Sequence, residues 1–348
     1  MRKKVILVIA FVFSACAILS NGILLCKIQG NANVPCTAQA ACVMEQNSRR
    51  VLYEQSGDLR LPMASTTKIA TAITVLEACK DITQKLVIPQ EAEGIEGSSV
   101  YLKAGDEYSV EDLLYGLMLR SGNDCATALA LHVEGSVEDF AAQMNKTAQK
   151  AGALATNFVN PHGLPAKNHY TTARDLSQIT CYAMQNPVFC KIVSTQYYEP
   201  CGWRNKNKLL TCYEGAIGVK TGYTKEAGRC LVSAAKRGNM TLICTVLNCA
   251  DMYECSERLL EDAFSAYEYV KLLDKSKIIE IADGKERIKG KVAEDFYYPL
   301  LKEEKELIRT ELSLNDSAIK RDEKGEILGQ MQIRIAKHLL FSTNLYKL

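Results

Sequence analysis

No charge of one sign dominates this chain of 348 residues: 42 lysines and arginines are interleaved with 40 aspartates and glutamates, for a net charge of +2. It therefore lacks the basic patch that holds nucleic acid. It lacks C-x-x-C pairs as well, and no short cluster of cysteine and histidine occurs, despite 14 cysteines. That spacing argues against both a zinc centre and a disulfide framework. Cys79, Cys125, Cys230 and Cys244 fall in helix-like or strand-like runs and read as small buried hydrophobes. Such usage suits an exported protein of a cell living without oxygen. What is present is apolar material: 47% of residues are hydrophobic, ample for a sizeable core, and the length exceeds one typical domain.

The N-terminus places Arg2, Lys3 and Lys4 before an apolar run over 5–19, the arrangement of an export signal. Three fates are open. Ala38-Gln39-Ala40 fits a late cleavage site, Phe13-Ser14-Ala15-Cys16 is an imperfect lipobox, and the stretch through Cys26 is just long enough to span a bilayer uncut. The expectation is a signal peptide or membrane anchor plus linker over 1–39, with the folded part extracytoplasmic, secreted or tethered to the outer face of the cytoplasmic membrane.

The chemistry sits in three short motifs. Ser65-Thr66-Thr67-Lys68 opens a strongly helical stretch, Ser121-Gly122-Asn123 lies further along, and Lys220-Thr221-Gly222 follows the apolar run 216–219. Residues three apart on a helix share a face, so Lys68 brings its amine beside the Ser65 hydroxyl. A lysine serves as base to a serine when burial or a second cation, here Lys220, disfavours its ammonium form. Ser121 offers a hydroxyl to relay a proton, and Asn123 an amide to hold Lys68 and a substrate carbonyl. Lys220-Thr221-Gly222 reads as a strand edge to which an extended substrate adds as a further strand, with Gly222 admitting its backbone. S-x-x-K recurs at Ser233 and Ser317, and S-x-N at Ser313 and Ser342. K-T-G occurs once, and only Ser65 precedes the other two motifs in order.

These motifs, with Leu61-Pro62-Met63-Ala64, Asn160-Pro161-His162-Gly163-Leu164, Thr171-Thr172-Ala173-Arg174-Asp175 and Tyr223-Thr224, resemble the serine D-alanyl-D-alanine carboxypeptidases among the low-molecular-mass penicillin-binding proteins. The resemblance runs from about residue 40 to 269, and more weakly beyond. It implies an α/β (α+β) fold of the DD-peptidase and β-lactamase kind: an antiparallel sheet flanked by helices, with a helical subdomain inserted between sheet segments. The catalytic domain is expected over 40–274 and a small C-terminal β-rich domain over 275–348. The resemblance also implies acyl transfer from a peptidoglycan stem peptide, no metal or organic cofactor, and β-lactam antibiotics as covalent inhibitors. Ser65, Lys68 and Ser121 are the expected catalytic residues. Asn123, Lys220, Thr221, Gly222 and Tyr223 are the expected substrate-binding residues, with the amides of Ser65 and Tyr223 as oxyanion donors. Some relatives carry an arginine for the substrate carboxylate where this chain has Cys255, which leaves that task to Lys220 and Thr221.

Periodicity supplies the frame. Strands are expected over 41–45 and 51–55, around the polar turn 46–49, and again over 229–235 and 240–248. Helices are expected over 65–79, after caps at Ser109 and Ser136, and over 254–272. Past 275, short strands are expected over 277–281, 287–292, 307–314 and 327–335, with no segment after them able to anchor the chain. His162 and His169 read as structural members of the loop joining helices to sheet, and Arg174 and Asp175 as the start of a helix.

Overall fold

The computed structural model describes residues 4–5, 36–283, 286–315 and 324–348. Apart from Lys4 and Val5, the proposed export signal, its lipobox and its spanning stretch lie outside them. The chain divides into two compact units that meet at 264/265.

The larger unit is built on β1 (Ala40–Glu45), β2 (Val51–Gln55), β3 (Ala216–Thr224), β4 (Gly228–Arg237) and β5 (Met240–Leu247). They form one antiparallel sheet in the order β2-β1-β5-β4-β3. The turn from β1 to β2 is held by the buried Glu45 carboxylate, which accepts from the Ser48 amide at 2.8 Å and the Ser48 hydroxyl at 2.6 Å.

Between β2 and β3 the chain inserts its helices. The longer ones are α1 (Lys68–Ala78), α2 (Val110–Tyr115), α3 (Asn123–Glu134), α4 (Val137–Ala151), α5 (Ala173–Ala183) and α6 (Pro187–Ser194). Ser109 caps α2 in a reciprocal box with Asp112, and Ser136 caps α4, as their sequences require. From Lys68 to Val75 every residue of α1 is buried, so this helix runs through the core rather than over it.

All eight residues of β5 are buried because both faces of the sheet are covered. On one face Ile243 and Leu247 join the core beneath the helices, and Thr245 Oγ1 lies 2.8 Å from Ser177 Oγ of α5. On the other, α7 (Met252–Ala266) sets Ser256 against Cys244 and Glu261 against the Arg237 guanidinium.

The expected helix over 254–272 overruns. α7 stops at Ala266, and β6 (Glu268–Leu273) pairs with β9 (Phe296–Leu300). Tyr269 stacks on Tyr297 with ring centroids 5.4 Å apart, a cross-strand aromatic pair that outweighs any local helical preference. β6 therefore belongs to the C-terminal unit, whose boundary falls before 268 rather than at 275. That unit adds β7 (Ile279–Asp283), β8 (Glu286–Val292), β10 (Ile308–Leu314), β11 (Ile327–Ile335) and β12 (His338–Lys347). They form a sheet in the order β10-β11-β12-β8-β7, with Lys4–Val5 alongside β10. Leu312, Leu328, Ile333 and Leu345 are central to its core.

Most cysteines behave as small hydrophobes: Cys42, Cys125, Cys181, Cys230, Cys244 and Cys249 are free and buried. Cys36 and Cys255 depart from that expectation and form a disulfide across 219 residues. No short spacing announces a pair so far apart.

Candidate active site

Ser65 stands in a 3-10 turn, Ala64–Thr67, that runs directly into α1. The two threonines of the motif close this turn. Thr66 Oγ1 donates to the Met63 carbonyl at 2.6 Å and Thr67 Oγ1 to that of Ala64 at 2.8 Å. His169 supports Thr67 from behind: its Nδ1 accepts from the Val159 amide at 3.1 Å, which leaves Nε2–H to donate to Thr67 Oγ1 at 2.9 Å. Two glycines let neighbouring backbone come close. A Cβ on Gly163, whose φ is +91°, would stand 1.9 Å from the Ala64 carbonyl oxygen. One on Gly222 would stand 3.1 Å from the Ser65 and Thr66 amide nitrogens, so β3 packs flat against the serine turn.

Lys68 is wholly buried, and its Nζ has three oxygen neighbours. They are Asn123 Oδ1 at 2.7 Å, the His162 carbonyl at 2.6 Å and Ser65 Oγ at 3.1 Å. The first two can only accept, so a neutral amine gives them its two hydrogens and turns its lone pair to the serine hydroxyl. Asn123 is fixed in that sense because its Nδ2 donates to the Glu96 carbonyl at 2.6 Å. Among the described residues no carboxylate forms an ion pair with the amine, although Asp124 draws its pKa slightly back up. Buried Asp124 next door is taken up by the amides of Val100 at 3.0 Å, Leu102 at 3.1 Å and Cys125 at 2.9 Å. Burial first, then the nearby charges of Lys220 and Lys206, hold the Lys68 pKa well below the ordinary lysine value. Lys220 is buried too, donating to the Thr221 carbonyl at 3.0 Å, and burial followed by Lys206 pushes its pKa down to about 7.

Ser121 follows a single π-turn, Gly116–Arg120, and holds a left-handed φ of +66°, a conformation costly for a residue with a Cβ. It lines a cleft with a cavity volume of about 580 Å³ together with Ser65, Thr221, Gly222 and Tyr223. Lys68, Asn123 and Lys220 are buried. All eight residues expected from the motifs are thus brought to one place.

The cleft has further walls that the motifs do not announce: Ser98, Lys206, Arg229, Met252 and Tyr253. Arg229 was within reach of strand logic, since it pairs directly with Tyr223 in the β3–β4 register. Lys206 carries no such signal. Cys255 is buried in its disulfide. Besides Lys220, the cleft carries two further cations, Lys206 and Arg229. His162 and His169 are structural as expected, and Arg174 Nε donates to Glu54 at 2.9 Å while Asp175 accepts from the Ala155 amide at 2.7 Å.

Comparison with known proteins decides the family. Residues 28–251 match the family described as D-alanyl-D-alanine carboxypeptidase, and 267–348 match the penicillin-binding protein 5 C-terminal domain. The chain belongs to the D-alanyl-D-alanine carboxypeptidase family. It is 30% identical over 316 residues to the D-alanyl-D-alanine carboxypeptidase DacF of Bacillus subtilis, covering 85% of this chain and 81% of that one. Among solved structures it resembles penicillin-binding protein 5 from Haemophilus influenzae, with a TM-score of 0.74, 30% identity, and 90% and 97% of the two chains covered. It also resembles the Streptomyces K15 DD-transpeptidase, with a TM-score of 0.61, 35% identity, and 66% and 97% covered.

Two predictions follow from the site's construction. Gly163→Ala forces a methyl onto the Ala64 carbonyl in a left-handed backbone. It should cost about 1–3 kcal/mol in thermal or denaturant unfolding and slow penicillin labelling, and an unshifted midpoint with normal labelling would show that the turn tolerates displacement. Lys220→Ala removes a positive charge near Lys68 and so favours its ammonium form, which is inactive as a base. The acidic limb of the pH–rate profile should move to higher pH; an unmoved limb would assign it to another group.

Proposed function

We propose that Ser65 attacks the carbonyl between the two terminal D-alanines of a peptidoglycan stem peptide. The chain is a serine-type D-Ala-D-Ala carboxypeptidase, a hydrolase. The reading of its residues rests on one observation above all: Lys68 Nζ lies 3.1 Å from Ser65 Oγ, with Asn123 and His162 placed to take its hydrogens. Lys68 accepts the serine proton, Ser121 relays a proton to the departing D-alanine, and water hydrolyses the acyl-enzyme. The amides of Ser65 and Tyr223 face the developing oxyanion, consistent with the flat packing of Gly222 on the serine turn. Asn123, Lys220, Thr221 and Gly222 hold the substrate. Penicillin enters the same path because its lactam carbonyl meets the same nucleophile. Peptidoglycan lies outside the cytoplasmic membrane, so the proposed site of action is extracytoplasmic, with any membrane association made through the N-terminal residues. Among the described residues no helix is long and apolar enough to cross a membrane.

Two rival readings have distinct outcomes. A DD-transpeptidase or DD-endopeptidase would use the same residues with a different acceptor or bond, and a catalytically silent wall-binding module would use none. The intact serine and lysine pair opposes the second. A β-lactamase of class A deacylates with a glutamate in an E-x-x-L-N loop; here the one such run is 311–315, which begins on β10 of the C-terminal unit.

Incubation with a stem pentapeptide, followed by mass spectrometry, should show loss of one alanine; a cross-linked dimer would favour the transpeptidase. Fluorescent penicillin should map to Ser65, and Ser65→Ala should abolish both labelling and turnover. Lys68→Ala should slow acylation by roughly a hundred- to ten-thousand-fold. A label on another serine would overturn the assignment.

A further inference from the structure

Three cysteines scattered in sequence meet at the start of α7. The sulfurs of Cys36, Cys249 and Cys255 all lie within 4.8 Å of one another, with Cys249 and Cys255 fully buried and Cys36 partly so. Cys36 and Cys255 are joined as a disulfide and Cys249 is a free thiol beside them. A structural disulfide needs no third sulfur, and a thiol that merely fills space needs no oxygen acceptor. Yet Asp251 Oδ1 stands 3.5 Å from Cys249 Sγ, and Thr37 donates to that same carboxylate oxygen. In a tetrahedral zinc site, with metal–sulfur bonds of about 2.3 Å and metal–oxygen bonds of about 2.0 Å, neighbouring sulfur and oxygen ligands lie about 3.5 Å apart. The Thr37 hydroxyl is then an outer partner of the kind that orients a ligating carboxylate.

We propose that the thiol form of Cys36, Cys249 and Cys255 binds a thiophilic divalent cation of the zinc class, with water or the Asp251 carboxylate beside Cys249 taking the fourth position. Each thiol releases its proton as its sulfur–metal bond forms, three protons per ion, and the ion takes three thiolates in exchange for three of its waters. The disulfide and the metal centre exclude each other, since a sulfur bonded to sulfur is no longer a thiolate. Reduction comes first. A phosphine reductant accomplishes it by taking oxygen from water: the disulfide gains two electrons and two protons, and the phosphine becomes its oxide.

The position gives the site a structural role. Cys36 lies just ahead of β1, while Cys249 and Cys255 flank Met252 and Tyr253, which line the substrate cleft. The Cys249 amide donates to the Arg229 carbonyl at 2.8 Å, tying the ligand loop to a further residue of the cleft wall. Either cross-link, disulfide or metal, would hold the stretch leading into β1 against the loop that forms this wall.

The test uses the whole protein. It is reduced with a phosphine, desalted without oxygen and titrated with cobalt(II), whose thiolate charge-transfer and tetrahedral bands report sulfur ligation directly. Wild type should bind one equivalent when reduced and none with the disulfide intact. Cys249→Ser and Cys36→Ser should each weaken binding by more than the roughly 10- to 100-fold typical of losing an outer partner. Cys212→Ser, at an exposed free thiol, should leave it unchanged. No thiolate band in the reduced wild type, or a band that survives in folded Cys249→Ser at unchanged affinity, would overturn the proposal. The comparison of oxidised with reduced wild type decides the matter should either ligand variant fail to fold.

Discussion

An amine has been buried without a carboxylate bonded to it among the described residues, and much of the catalytic unit is arranged around that constraint. Lys68 is fully enclosed, its neighbours are carbonyl and hydroxyl oxygens, and the one buried carboxylate close by is occupied by backbone amides. Placing an ammonium ion there costs far more than a neutral amine, so the protein favours the base form by withholding solvation rather than by supplying a proton acceptor. Such a site is destabilising in itself and must be offset elsewhere. The offset comes from a core in which α1 is buried from its first turn and β5 on both faces.

Enclosure alone would leave the serine poorly aimed. The aim comes from three surfaces that converge on the Ala64–Thr67 turn: the Gly163 loop below, β3 at the side and Thr67 with His169 behind. Each contact is made by backbone or by the Thr67 hydroxyl, which accepts from His169 while it donates to Ala64, and together they fix the turn that carries Ser65 into α1. Reorganisation during acylation is small when donors and acceptors are already in place. The strained φ of Ser121 belongs to the same economy, since a relaxed residue after the π-turn would follow a different path past the cleft.

Legibility in the sequence followed the range of the interactions. Ser65, Lys68, Ser121, Asn123 and the Lys220 strand are local patterns with a chemical reason, and they were readable at once. His169 braces the loop, as its place in the sequence suggests for a histidine without a nucleophile of its own. Lys206 was not readable, since only tertiary packing brings it to the cleft. Nor was the Cys36–Cys255 pair, separated by 219 residues. β6 reads as helix in the sequence because its apolar positions continue those of α7, and only the pairing with β9 reverses the preference. β12 escaped because 338–347 has no clean alternation, and its pairing with β11 is broken by irregularities at two points.

Lys206 and Arg229 connect binding to chemistry. Lys206 adds its charge to the burial that lowers the Lys68 pKa, and it depresses Lys220 in the same way. A substrate's terminal carboxylate drawn to Lys206 and Arg229 would offset those cations as it docks. Removing positive potential raises the proton affinity of Lys68, and it does so when the Ser65 hydroxyl must give up its proton. The resting enzyme thus disfavours the ammonium form of its base, and the bound substrate strengthens that base. A neutral ligand of equal size would gain the first effect without the second, which is a physical reason for an enzyme of this design to act at a chain end bearing a free carboxylate.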